Sequence, residues 1–142
     1  MRILGLDYGS KTVGVAMTDA LNMTASPFET IVRKEENKLR RTFARIEEII
    51  RQYDVGTIVL GNPVHMDGSA SERSKETDLF REKLEKRTGL EVISWDERLT
   101  TVEAEEVLKE MEIPKAEWKQ YVDRVAACLI LEDYLKQKTK EK

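Results

Sequence analysis

A chain of 142 residues with 40% hydrophobic content can close one ordinary core, and 36% charged residues surround that core with a densely charged surface. With 24 Lys and Arg against 27 Asp and Glu, the net charge is −3, which excludes the bulk-basic signature of a histone-like or ribosomal protein. A nucleic-acid enzyme built on carboxylate-held cations stays open, because two divalent ions would bring the formal charge to +1. Cys128 is the lone cysteine, so an intrachain disulfide and a cysteine-based zinc cluster are excluded. No apolar run reaches the roughly 18–20 residues that cross a bilayer, and Met1-Arg2 leads into a strand-like segment rather than a signal peptide. The expectation is a cytoplasmic protein forming one domain over 1–142, with no membrane partner.

Two short apolar runs, Arg2–Asp7 and Thr12–Thr18, flank Tyr8-Gly9-Ser10-Lys11 and predict a hairpin with Gly9 supplying the turn. In the second run Val13 and Val15 alternate with Gly14 and Ala16, small residues that allow a helix or backbone to approach one face. Phe28–Val32 predicts a third strand. Leu39, Phe43, Ile46 and Ile50 then recur at helical spacing. Thr57–Leu60 is a buried-strand run ended by Gly61-Asn62-Pro63. Ser69 to Glu72 has the spacing of a capping box, and Leu79, Phe80 and Leu84 supply the next helix's apolar side up to a stop at Gly89. Glu91–Trp95 predicts a fifth strand. Thr100 to Glu103 opens another helix, carrying Val107, Leu108 and Met111. Pro114 suits the first turn of a last helix whose buried side is Trp118, Val122, Val125, Ala126 and Leu129. The order βββαβαβαα predicts an α/β fold: a mixed five-stranded sheet, helices on both faces, with strands one, four and five as parallel neighbours.

Three carboxylates stand out against this frame. Asp7 closes an apolar strand, where an unpaired charge is costly unless it binds a partner or a metal. Asp96 and Glu97 fall at the carboxyl end of the fifth strand, the edge at which α/β sheets bind ligands. Asp123 lies on the last helix beside small Ala127. Carboxylates from two strand ends and one helix form a hard-oxygen set suited to Mg²⁺ or Mn²⁺, and paired ions of this kind hydrolyse phosphodiesters.

Four blocks, Arg2–Asp19 (RILGLDYGSKTVGVAMTD), Gly61–Ser69 (GNPVHMDGS), Trp95–Ala104 (WDERLTTVEA) and Asp123–Ala127 (DRVAA), occur in an order that resembles YqgF-type proteins. That family belongs to the ribonuclease H-like superfamily and is described as Holliday-junction resolvases or nucleases for the 5′ end of pre-16S rRNA. The resemblance covers essentially the whole chain. It implies a ribonuclease H-like sheet, a divalent-metal-dependent endonuclease, and Asp7, Glu97 and Asp123 as the catalytic, metal-holding acids. Asn62 and His65 depart from the segment GLPLNMDG that the family often shows there, which bears on substrate contacts. The implied partner is pre-16S rRNA or four-way-junction DNA; two symmetric cuts in a junction would favour a homodimer.

Phosphate-facing candidates are Gly9, Ser10 and Lys11 in the turn, Arg73 and Lys75 near the second helix's start, and Arg98 beside the acids. Lys38, Arg41 and Arg45 share one side of the first helix, where a solvated face is the simpler account. Trp95 and Trp118 are expected to pack in the core, Cys128 to act as a small buried hydrophobe, and His65 to sit in a loop.

A different class competes for the first block: Asp7-Tyr8-Gly9-Ser10-Lys11 also resembles the phosphate loop of actin- and sugar-kinase-like ATPases. Those enzymes close two such lobes around the nucleotide, which one 142-residue lobe cannot do, and Glu97 and Asp123 would have no evident task there. A non-catalytic RNA-binding or ribosome-assembly domain is the third reading.

Overall fold

The computed structural model describes residues 1–35, 37–63, 72–97 and 100–140, with the side chains of 97, 100–102 and 140 outside the described set. Five strands, β1 (Arg2–Tyr8), β2 (Thr12–Thr18), β3 (Ala25–Val32), β4 (Val55–Pro63) and β5 (Val92–Glu97), make one sheet in the order β3-β2-β1-β4-β5. The helices are α1 (Arg40–Tyr53), α2 (Glu72–Thr88), α3 (Thr100–Glu110) and α4 (Trp118–Lys140). Pairing is antiparallel for β1–β2 and β2–β3 and parallel for β1–β4 and β4–β5, as the βββαβαβαα order requires.

Strand alternation divides the core into two sides. Leu4, Leu6, Val13, Val15, Ile58 and Leu60 pack with Phe43, Ile46 and Ile49 of α1 and with Phe80 and Leu84 of α2. On the other face Ile3, Ala16 and Val59 meet Ala127, Cys128, Ile130, Leu131 and Tyr134 of α4. A third cluster joins α3 to α4 through Ala104, Leu108, Val125 and Ala126, with Trp118, Val122 and Leu129 packed against it. The residues expected as α4's buried side therefore face α3, and a second stripe, interleaved with the first on another side of the helix, faces the sheet. A helix covered on two sides has little amphipathic contrast, which is why its sequence pattern showed only one of them.

Other differences are local. Leu79 is exposed, and α2 instead buries Ser74 and Thr77 beside Phe80 and Leu84. Met111 is exposed past the end of α3. Pro114 precedes a 3₁₀ turn, Lys115–Glu117, and α4 begins only at Trp118. β5 runs to Glu97, so Asp96 and Glu97 belong to the strand itself. Gly89 ends α2 with a φ of 73°, the left-handed conformation that a glycine takes at least cost. The expected cap at Ser69 and loop residue His65 lie outside the described residues.

Cys128 is buried, donates its thiol hydrogen to Glu132 Oε1 at 3.3 Å, and has its pKa pushed up to about 12, chiefly by burial. The thiolate is the reactive form, so native protein at neutral pH should resist iodoacetamide, while guanidinium-unfolded protein is alkylated. Mass spectrometry of the two samples checks this; prompt labelling of native protein would mean that α4 lifts off the sheet.

Candidate active site

The site begins with a register. Asp7, the penultimate residue of β1, pairs with Gly14 on β2 and with Gly61 on β4, and Gly61 pairs in turn with Trp95 on β5. Both lateral neighbours of Asp7 therefore lack side chains. Asp7 is half-buried at the carboxyl end of its strand.

Gly14 lets α4 come down to the sheet. A Cβ on Gly14 would lie 1.9 Å from the carbonyl oxygen of Asp123 and 2.2 Å from its carbonyl carbon, so the helix backbone occupies the space of a side chain. Cross-strand partners sit about 5 Å apart, which sets the Asp123 backbone above the immediate neighbour of Asp7. Thr12, two residues before Gly14, donates its hydroxyl hydrogen to Asp123 Oδ2 at 2.7 Å. Among the described residues Asp123 Oδ1 has no hydrogen-bond partner. β1, β2 and α4 thus bring two of the three expected acids to one end of the sheet.

Glu97, the third, is the last residue of β5 and pairs with Pro63, two positions beyond the Gly61–Trp95 pair. Its backbone ends at the same sheet edge, and its side chain lies outside the described residues. Asp96 lines a separate cavity of about 330 Å³ with Glu103, Glu132, Asp133 and Lys136. Arg98 lies outside the described residues.

The turn after Asp7 is firmly held. Gly9 N–H donates to Thr12 O at 2.7 Å, so that amide is engaged within the hairpin, whereas the side chains of Ser10 and Lys11 are exposed. Gly9 does not take a positive φ; a Cβ there would come within 3.1 Å of Thr12 O and Oγ1. Two guanidinium groups clamp the carbonyls that follow Asp7: Arg73 Nη2 donates to Tyr8 O at 3.2 Å and Arg33 Nη2 donates to Gly9 O. Each also lies over the Tyr8 ring, at 4.9 and 4.8 Å, and Tyr8 stacks on Phe80 with 4.3 Å between centroids. Arg73 further pairs with Glu76 at 2.8 Å, so the half-buried arginine fastens α2 to the end of β1. Lys75 is exposed on the same turn of α2.

Asn62 is buried. It accepts from Ser74 Oγ at 2.9 Å and donates to Asp78 Oδ1 at 3.0 Å and Ser94 Oγ at 3.2 Å, tying α2 to β4 and β5. Trp95 Nε1 donates to Asp133 Oδ2 at 2.7 Å and Trp118 Nε1 to Ile113 O at 2.8 Å; both indoles are partly buried, packed against the edges of the α4 clusters and not inside the core. Thr12, Gly61 and Arg33 were not singled out from the sequence. Thr12 and Gly61 lie inside the recognised blocks, but only the strand register shows that they adjoin the acids.

Comparison with known proteins agrees with this architecture. The sequence model of a family described as "RuvX: Holliday junction resolvase" matches residues 1–137. A protein of Lachnospira eligens is 57% identical over 140 residues, covering 99% of this chain and 100% of its own length. One from Agathobacter rectalis is 54% identical over 135 residues, covering 95% and 94%. Both carry the name "Putative pre-16S rRNA nuclease". Among solved structures, Thermus thermophilus RuvC in complex with a Holliday junction substrate superposes with a TM-score of 0.61 at 14% identity, covering 98% of this chain and 97% of that one. The fowlpox virus Holliday junction resolvase gives 0.57 at 17% identity, covering 97% and 99%. The shared feature at those identities is the ribonuclease H-like fold.

Proposed function

The chain belongs to the RuvX family, and on that premise we propose that it is a divalent-metal-dependent endonuclease that processes the 5′ end of pre-16S rRNA in the cytoplasm. The observation that supports this most directly is the seating of Asp123 over Gly14, the strand neighbour of Asp7. Asp7, Glu97 and Asp123 would hold Mg²⁺ or Mn²⁺, two ions in all. The donor set fits such ions: it is hard oxygen, without histidine or cysteine, and Thr12 engages only one oxygen of Asp123. When bound, the ions supply an activated water and counter-charge for the leaving oxygen. The chain's own work is placement. The Thr12 hydroxyl fixes the Asp123 carboxylate, Arg33 and Arg73 fix the backbone just after Asp7, and Ser10 and Lys11 stand exposed beside the acids to meet a phosphate.

The substrate arm of this reading rests on the names of relatives of similar length, and the family's description favours four-way DNA instead. Cleavage of labelled pre-16S rRNA and of a four-way DNA junction, side by side in Mg²⁺, Mn²⁺ or EDTA, separates the two. Metal-dependent cutting of the RNA precursor alone is the expected result. Symmetric cutting of the junction alone would make the protein a resolvase, working as a homodimer. Intact substrates in every metal would leave a non-catalytic RNA-binding or assembly domain.

A further inference from the structure

Between the end of β3 and the start of α1 lies a cavity of about 810 Å³ lined by Val32, Arg33, Lys34, Lys38, Arg40 and Arg41, together with two uncharged residues. Among the described residues, five that line it are cations and none is acidic, on a chain whose net charge is −3. Elsewhere glutamates pair with four arginines, Glu29 with Arg45, Glu76 with Arg73, Glu85 with Arg81 and Glu47 with Arg87, while Arg2, Arg51 and Arg124 have no ion pair among the described residues. In the cavity, Lys34, Arg40 and Arg41 are exposed and have no ion-pair partner among the described residues. Lys38 reaches Glu35 at 3.7 Å with both side chains exposed, a contact of little strength in water. The first turn of α1 contains no acid and its N-cap makes no side-chain bond, so neither offsets the positive end of the helix.

This cavity lies at the same end of the sheet as the candidate active site, although α1 and α4 pack on opposite faces. Val32 pairs with Thr12, whose hydroxyl holds Asp123, and Arg33 N–H donates to Lys11 O at 2.8 Å. Two strand spacings, about 10 Å, separate the end of β3 from the Asp7 strand. We propose that the basic cavity, with Lys11 as its link to the acids, carries the phosphodiester backbone of the substrate strand flanking the cleaved phosphate. Among the described residues it has no aromatic lining on which bases could stack, so it reads charge and not sequence. The inference rests on the nuclease reading for the identity of the polyanion.

The test is fluorescence anisotropy in EDTA, where cleavage is blocked, with a fluorescein-labelled single-stranded RNA and a DNA of the same sequence. The variant Lys34→Gln/Arg40→Gln/Arg41→Gln is compared with Lys86→Gln/Lys109→Gln/Lys136→Gln, which removes as much charge from exposed helix positions elsewhere. The cavity variant should bind at least about tenfold more weakly at low salt. Its slope of log K against log salt should be shallower by about 2, since each single-strand phosphate contact contributes about 0.7. The control should keep the wild-type slope. Unchanged binding of both strands by the cavity variant, or equal loss in the control, overturns the proposal. If the triple variant melts early, Arg41→Gln alone should still lower the slope by about 0.7. Wild-type cleavage in Mg²⁺ is read separately: binding through the cavity without any cleavage would overturn the nuclease reading and leave the cavity as a backbone-binding surface with no cleaved phosphate beside it.

Discussion

Replacing Asp123 by Asn will lower Mg²⁺-dependent cleavage by about 10³-fold or more and leave the fold intact. The amide keeps the shape of the carboxylate and can still accept the Thr12 hydroxyl hydrogen, but it loses the charge that holds a hard cation. Removing a residue that merely orients a metal ligand already costs about 10–100-fold, so loss of a ligand itself must cost more. Thr12→Val supplies that smaller step: it removes the orienting hydroxyl and should reduce cleavage by about 10–100-fold without abolishing it. In metal-free buffer Asp123→Asn should melt no lower than the wild type, because one of two carboxylates at the same sheet edge has been neutralised. Melting temperature and cleavage measured on one preparation decide the matter. A well-folded Asp123→Asn protein with full activity would remove Asp123 from the site. A protein that melts several degrees lower but retains its specific activity would make the residue structural.

The parts of this site that could be read from the sequence are those that local patterns encode. The alternation of Val13 and Val15 with Gly14 and Ala16 announced a face stripped of side chains, and α4 lies on that face. Asp7 at the end of an apolar strand announced a charge in need of a partner. Which residues adjoin Asp7 was not legible, because a period of two tells which face a side chain takes and nothing about its cross-strand neighbour. Only the register reveals glycines on both sides of Asp7, and Thr12 two positions along from Gly14. Arg33 follows the end of β3 and resembles any strand-terminal surface cation; its burial comes from the β1–β2 turn folding over it, a contact made by residues more than twenty positions away. The buried face of α4 was misplaced for a related reason. Two packed sides erase the contrast from which a single stripe is inferred, and the α3-facing side carries the conspicuous Trp118.

Gly14 is where fold and chemistry depend on the same missing methyl group, and Gly14→Ala should damage both. The new Cβ would fall 1.9 Å from Asp123 O, 2.2 Å from Asp123 C and 2.9 Å from Arg124 N, all backbone atoms of a helix that cannot turn aside. Relief requires α4 to retreat by more than about 1 Å, against its packing through Ala127, Cys128 and Leu131. Overpacking of this kind costs about 1–3 kcal/mol, which for a chain of this length lowers the melting temperature by roughly 3–10 °C. The same retreat carries Asp123 away from Asp7, and a misplacement of about 1 Å at a reacting centre costs on the order of 10²-fold in rate. Activity should therefore fall even at temperatures where circular dichroism shows the variant fully folded. Gly56→Ala is the control, because the three atoms nearest its added methyl belong to the side chain of Met1, a terminal residue that is 78% exposed, and not to a packed helix backbone. It should leave both melting temperature and cleavage close to wild type. A Gly14→Ala protein that melts and cuts like the wild type would show that α4 does not rest on β2, and the joint placement of Asp7 and Asp123 would go with it.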